Sequence, residues 1–296
     1  MTVGSLVAAA PSKRRGILGL LDGGGARTGL GLGWVLPGVL FMLAFFVAPL
    51  SDSIVGSFTG EGLAAYRKLF SDAFYLEVLF NTLAFSFVVT LVCLLVGYPV
   101  AYFMVRFSGR WYGFFVFLLI APLLTSIIMR TFGWRVLLAR RGFVNSLLLD
   151  LNLIEQPLNL LNGPIVALAG MVHVLVPFMV LAIASSLQGV DQRLEESARI
   201  LGAGKAATFW RITFPLTLDG IGTGFILVFM LANGSFVTLL LLGGGSIQTL
   251  PLLIYQQFNT TRDFALAGAM SNVLLLSAVL CLIIQARILR RKGVKA

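Results

Sequence analysis

Six apolar runs, each near or above the length that crosses a bilayer, leave this chain few choices of fold. They lie at roughly 31–56, 76–105, 111–129, 164–187, 219–242 and 265–286. Crossing the hydrocarbon core takes about 20 helical residues. No backbone N–H or C=O can stay unpaired there, so runs of this length must be helices. Barrel strands would be about half as long and would alternate in polarity. The expected fold is an all-α polytopic membrane protein with six transmembrane helices.

The composition agrees. The chain is 58% hydrophobic and only 11% charged, with a mean hydropathy of +0.95, whereas a soluble domain carries about 25% charged residues. Cys93 and Cys281 fall in separate runs, and no disulfide is expected. The first run is too long for a signal peptide, and no small-residue cleavage site follows it. A net charge of +10 raises the question of nucleic acid, but its distribution answers it. With the N-terminus placed in the cytoplasm, fifteen of the 22 lysines and arginines fall on the cytoplasmic side. That is the positive-inside bias. The charge therefore sets topology, both termini are expected in the cytoplasm, and no nucleic-acid partner is expected. Residues 1–28 read as a flexible basic cytoplasmic tail within reach of anionic lipid, and 29–296 as a single transmembrane domain.

One conspicuous polar island interrupts this apolar chain. It runs from Asp191 to Gly220, between the fourth and fifth runs, and reads DQRLEESARILGAGKAATFWRITFPLTLDG. Asp191 suits an N-cap, and Glu195 and Glu196 favour the positive end of the helix it opens. Leu194, Ala198 and Leu201 then share one face. Gly202 should end that helix, because glycine enters the left-handed cap without strain. A second short helix follows, with Ala203, Ala207, Trp210 and Phe214 in one stripe. Pro215 should stop it, since a residue before proline is pushed out of the α region. The expectation is a helix-turn-helix lying along the membrane surface, either an amphipathic connector or a docking knob for a soluble partner.

Glu196-Ser197-Ala198, three residues, Gly202, nine residues, Ile212, two residues and Pro215 together resemble the "EAA loop" of ATP-binding-cassette importer permeases. Ser197 stands where that pattern has its middle alanine, and Phe214 where it often has leucine. Arg130 to Trp134, Gly142 to Asn145, Val176 to Met179, Gly234 to Gly244, and Ile254-Tyr255 with Gln257 resemble the spermidine/putrescine branch, within which the chain is most similar to the first of two permease subunits. The resemblance covers roughly residues 75–290. It implies a type I importer fold with a cytoplasmic coupling helix-turn-helix at about 191–218. It implies a second homologous permease, two copies of a cytoplasmic ATPase and an extracytoplasmic solute-binding protein in the bacterial inner membrane. ATP and magnesium would be bound by the ATPase, and this chain would need no cofactor. Glu196, Ser197, Ala198, Gly202, Ala203, Ile212 and Pro215 would be the coupling residues: Glu196 the polar contact, Gly202 the turn, Ile212 and Pro215 the base of the second helix.

Other signals are weaker. Gly202-Ala203-Gly204-Lys205 looks like a phosphate loop, but Arg199 and Ala206 stand where that motif needs glycine and Ser/Thr. His173 is the only histidine. It is either a packed, hydrogen-bonded residue or part of the solute pathway. Asn233 and Ser235, with Phe236 beside them, either bond between helices or line the cavity. No paired carboxylates, nucleophile–base pair or metal-ligand cluster is read, so the chain is expected to be a transporter subunit and not an enzyme. The cargo is expected to be a small polar solute, a polyamine or related amine compound. The rival is a stand-alone transporter driven by an ion gradient, which would want intramembrane ionisable groups or interrupted helices.

Overall fold

The computed structural model describes residues 36–58 and 62–293. The tail at 1–28 and the start of the first apolar run lie outside the described residues. By internal contacts the chain divides into two units, Met1–Val55 and Gly56–Ala296. Helix α1, Leu36–Phe58, begins in the first unit. It carries a five-residue π-turn at Leu43–Val47.

Among the described residues, the second unit is built on three long helices and nine shorter ones joined to them. Helix α2 is Gly62–Ser71. Helix α3, Ala73–Arg106, is opened by Asp72, whose carboxylate accepts the Phe74 N–H at 3.0 Å, satisfying an otherwise orphaned donor. It continues through Pro99 to Arg106. Helices α4 and α5 are Tyr112–Ile120 and Ile127–Leu138, and α6 is Phe143–Asp150. Helix α7, Pro164–Gln188, has proline in its first turn and is not interrupted by Pro177. The polar island forms α8, Gln192–Ile200, and α9, Lys205–Leu216. Then come α10, Leu218–Asn233, α11, Val237–Leu242, α12, Leu250–Gln256, and α13, Phe264–Gly293.

Helices α3, α7 and α10 form the main core. Val89, Cys93 and Met104 meet Met171, Met179, Ile183 and Val228 there. Small residues let these helices approach closely. A Cβ on Gly220 of α10 would lie 2.3 Å from the Ser186 Cβ of α7, and one on Gly97 of α3 would lie 3.1 Å from the Met179 Cγ. A second cluster joins α2, the start of α3, α12 and α13 through Leu69, Val78, Leu253 and Met270. There the Thr82 hydroxyl of α3 accepts the Leu250 N–H at the start of α12, at 2.8 Å. The opposite faces stay apolar, with Phe80, Phe87 and Leu95 of α3 exposed. A helix apolar on every side belongs in lipid.

Among the described residues, four helices are long and apolar enough to cross a membrane, and the count reaches six when each of two bent pairs is one span. Hydropathy reads the runs at 111–129 and 219–242 as continuous, and the structure interrupts each of them. The run at 111–129 ends in a 3-10 turn, Ala121–Leu124, and α5 sets off at 93° to it. Thr125 and Ser126 are extended at the corner. The run at 219–242 is helical only to Asn233, then restarts at Val237. The structure also corrects the expectation at Pro215. Phe214 stays helical, at φ −61° and ψ −48°, and α9 runs on to Leu216. A π-turn over Phe209–Thr213 makes room, with the Phe214 N–H donating to the Phe209 carbonyl. The extra residue relieves the clash between proline's ring and the preceding turn. The chain bends instead at Thr217, by 63°, into α10.

Candidate functional site

The α8–α9 loop has the local chemistry expected of a rigid knob. Asp191 caps α8 by accepting the Arg193 N–H at 2.9 Å. At the other end Gly202 takes φ +90°. The Ala203 N–H reaches back to the Ala198 carbonyl at 2.9 Å, and the Gly202 N–H to that of Arg199 at 3.0 Å. This paired closure is the Schellman arrangement. Nothing lies within 4 Å of a Cβ built on Gly202, so only the backbone conformation demands glycine there.

The spacing puts Leu194, Ala198 and Leu201 on one face of α8, and the structure shows which way the large apolar side chains turn. Leu194 and Leu201 are 49% and 87% exposed, and Ile200 is 85% exposed, whereas Glu195 is 6% exposed. The helix presents its large apolar side chains outward and buries an acid. The reason lies on α3. Arg106 Nη2 donates to Glu195 Oε1 at 2.8 Å and to the Val190 carbonyl at 3.2 Å. The Thr213 hydroxyl of α9 donates to the same Glu195 oxygen at 3.0 Å. A buried guanidinium needs a carboxylate more than the core needs a leucine.

The seven loop residues singled out by spacing fall around this anchor. Glu196 and Ser197 are exposed, Ala198 and Ala203 are half-buried flanking the cap, and Gly202 is the turn. Ile212 is half-buried in the π-turn, and Pro215 is exposed beyond it. Glu196 and Arg106 both line an open recess of about 610 Å³ with Gln188, Asp191, Gln192 and Arg193. A second, aromatic recess of about 420 Å³ is lined by Tyr102, Phe107, Arg199, Lys205 and Trp210. Spacing did not single out Glu195, Arg106, Thr213, Tyr98 or Thr217. The Tyr98 hydroxyl sits 3.0 Å from that of Thr217, at the α9–α10 bend. A charge at the end of α3 and a second glutamate beside Glu196 were the available signals.

The four candidate pathway residues fall in two places. Asn233, Ser235 and Phe236 all sit at the break between α10 and α11. Asn233 is 2% exposed, its amide donates to Ser277 Oγ of α13 at 3.5 Å, and its Oδ1 is buried without a partner among the described residues. The Phe236 ring stacks on Tyr255 of α12, centroids 5.0 Å apart. His173 faces α5 instead: its Nδ1 accepts the Trp134 indole N–H at 3.0 Å.

A helix broken at membrane depth is tolerated where it is covered by protein or lines a water-filled cavity. Such breaks were also the mark of the rival, gradient-driven reading, so they do not by themselves separate the two. Sequence comparison does. Residues 32–293 match the family model described as "Binding-protein-dependent transport system inner membrane component". The chain belongs to that family. It is therefore a multi-pass inner-membrane subunit of an importer and not an enzyme. Among its relatives is the spermidine/putrescine transport system permease protein PotB of Escherichia coli (strain K12), 36% identical over 230 residues, covering 77% of this chain and 83% of the relative. The protein of the same name from Haemophilus influenzae is 35% identical over 206 residues, covering 70% and 72%. The fold matches a chain of the bacterial alginate ABC transporter solved in complex with an alginate pentasaccharide-bound periplasmic protein. The TM-score is 0.75 at 16% identity, over 90% of this chain and 96% of that one.

Proposed function

We propose that this subunit forms half of the translocation pathway of an ATP-driven importer for a polyamine or related small amine. In this reading residues 29–296 act as one permease domain and the 191–218 loop couples it to a separate ATPase. The observation that carries the cargo is the 36% identity to a relative named for spermidine and putrescine. The coupling role is supported by the loop itself, a capped and anchored knob whose large apolar side chains, Leu194, Ile200 and Leu201, face away from its own helices. Exposed apolar side chains grouped on a polar segment mark a protein contact. Glu196 is the polar contact, Ser197 and Ala198 allow close approach, Gly202 and Ala203 make the turn, and Ile212 and Pro215 set the base of α9. ATP and magnesium are held by the ATPase. A homologous second permease completes the pathway, an extracytoplasmic binding protein delivers the solute, and both termini lie in the cytoplasm. Asn233, Ser235 and Phe236 line the path at the broken helix, and His173 supports α5 next to it.

The test is purification and transport together. The tagged chain should bring down an ATPase subunit from detergent extracts, and Glu196→Lys or Gly202→Asp should weaken that association. Inside-out control of nucleotide in vesicles should make spermidine uptake depend on ATP. Uptake that persisted on an ion gradient without ATP would return the assignment to a gradient-driven mechanism.

A further inference from the structure

Arg106 and Glu195 form the ion pair found among the described residues, with both side chains 7% exposed. Taking two charges out of water is repaid only by good geometry and further hydrogen bonds. This pair falls short on both counts. A single guanidinium nitrogen, Nη2, makes the contact and also serves the Val190 carbonyl. Arg106 Nε is buried without a partner. A pair built for strength would be forked, with two parallel N–H···O bonds.

Connection is what this arrangement does achieve. Through Arg106 the end of α3 is bonded to the segment after α7, at Val190, and to α8, at Glu195; Glu195 in turn takes the Thr213 hydroxyl of α9. Eight residues earlier on α3, Tyr98 holds Thr217 at the bend where α9 becomes α10. Its ring meets Phe209 of the π-turn edge-on, centroids 5.5 Å apart. Helix α3 thus touches the loop near its start and at its exit. It is itself fixed to α7 through Gly97 and Met179, and α7 to α10 through Ser186 and Gly220. Coupling between distant sites is carried by such contiguous bonded and packed elements.

We propose that the Arg106–Glu195–Thr213 clasp is the transmission joint of this subunit. Glu195 is a positioning residue that makes α8 and α9 move as one body with α3, while its exposed neighbour Glu196 is left for the partner surface. A displacement of the loop then reaches the membrane helices without slack. With the clasp opened, the loop rocks on its own and ATP is spent without transport. This inference rests on the reading of the loop as the ATPase contact.

The test uses the complete importer, with its ATPase, second permease and binding protein, in proteoliposomes with spermidine as the probe. Solute moved per ATP hydrolysed is measured beside ATPase co-purification. Glu195→Gln and Arg106→Gln should retain the ATPase yet lower solute moved per ATP by about tenfold, the scale of one lost charge-assisted hydrogen bond. Thr213→Val, which keeps shape and removes only a hydroxyl, should lower it less. The exchange of charges, Glu195→Arg with Arg106→Glu, should restore much of the ratio. Wild-type solute per ATP in Glu195→Gln and Arg106→Gln would overturn the proposal. So would loss of ATPase association in both single variants that the exchange fails to repair, because the pair would then serve only folding or docking. A wild-type chain that retains no ATPase at all would remove the reading beneath the proposal, an outcome visible before any variant is made.

Discussion

At the scale of single residues, two neighbouring glutamates show what a sequence can and cannot tell. The spacing to Gly202, Ile212 and Pro215 picks out Glu196. It is silent about Glu195, because the residue that turns Glu195 inward is Arg106, 89 positions away. Gly202 is the opposite case: its left-handed φ of +90° is legible from its place after an amphipathic helix. That position yields a clean prediction, because no atom lies within 4 Å of an added Cβ and the only penalty is backbone strain. Gly202→Ala should cost about 1–2 kcal/mol of loop stability. Gly202→Asn should cost less, since asparagine tolerates the left-handed region. ATPase co-purification should therefore fall in the order glycine, asparagine, alanine. Equal retention by alanine and asparagine would mean that the turn is not held in this conformation.

At the scale of elements, hydropathy finds each span and misses where two of them break. A sliding window sums composition, and Thr125-Ser126 and Gly234-Ser235 sit inside windows that stay apolar. The corner depends on backbone direction, which no sum records. Pro215 misleads for a related reason. The clash of proline with the residue before it is only a preference, and the π-turn at Phe209–Thr213 relieves the separate clash of proline's ring with the preceding turn. Helix packing, by contrast, depends on glycines whose surroundings only the structure supplies. Gly220→Val should be disruptive, because even its Cβ would lie 2.3 Å from the Ser186 Cβ and 2.9 Å from the Ala182 carbonyl oxygen. Overpacking of this kind costs about 1–3 kcal/mol or more. Gly113→Ala on α4, with nothing within 4 Å, should be neutral or stabilising by up to about 1 kcal/mol, the helix propensity gain. Thermal aggregation midpoints in detergent would rank the two, and a Gly220→Val protein as stable as Gly113→Ala would mean that α7 and α10 do not pack through this contact.

At the scale of the whole molecule, the charge pattern makes a statement that helices and contacts leave open: which face of the protein meets the cytoplasm. The bundle places Arg106 at the end of α3, and Arg193, Arg199, Lys205 and Arg211 stand exposed on the α8–α9 loop. Basic residues close to span ends resist translocation and set orientation. At the inner leaflet each of them also gains about 1 kcal/mol from anionic lipid, and less as salt screens the surface. The α6–α7 connection lies across one span, α7, from that loop, so the two must face opposite sides. Gln192 on α8 and Asn159 between α6 and α7 are both exposed. In a background with Cys93 and Cys281 replaced, a membrane-impermeant maleimide should label Asn159→Cys in spheroplasts. It should label Gln192→Cys only after permeabilisation. The reverse pattern would place the knob outside, where no ATP-driven partner could reach it, and would sink the orientation and the coupling role together. Labelling of both from one side would instead mean that α7 does not cross, and the six-span count would fail with it.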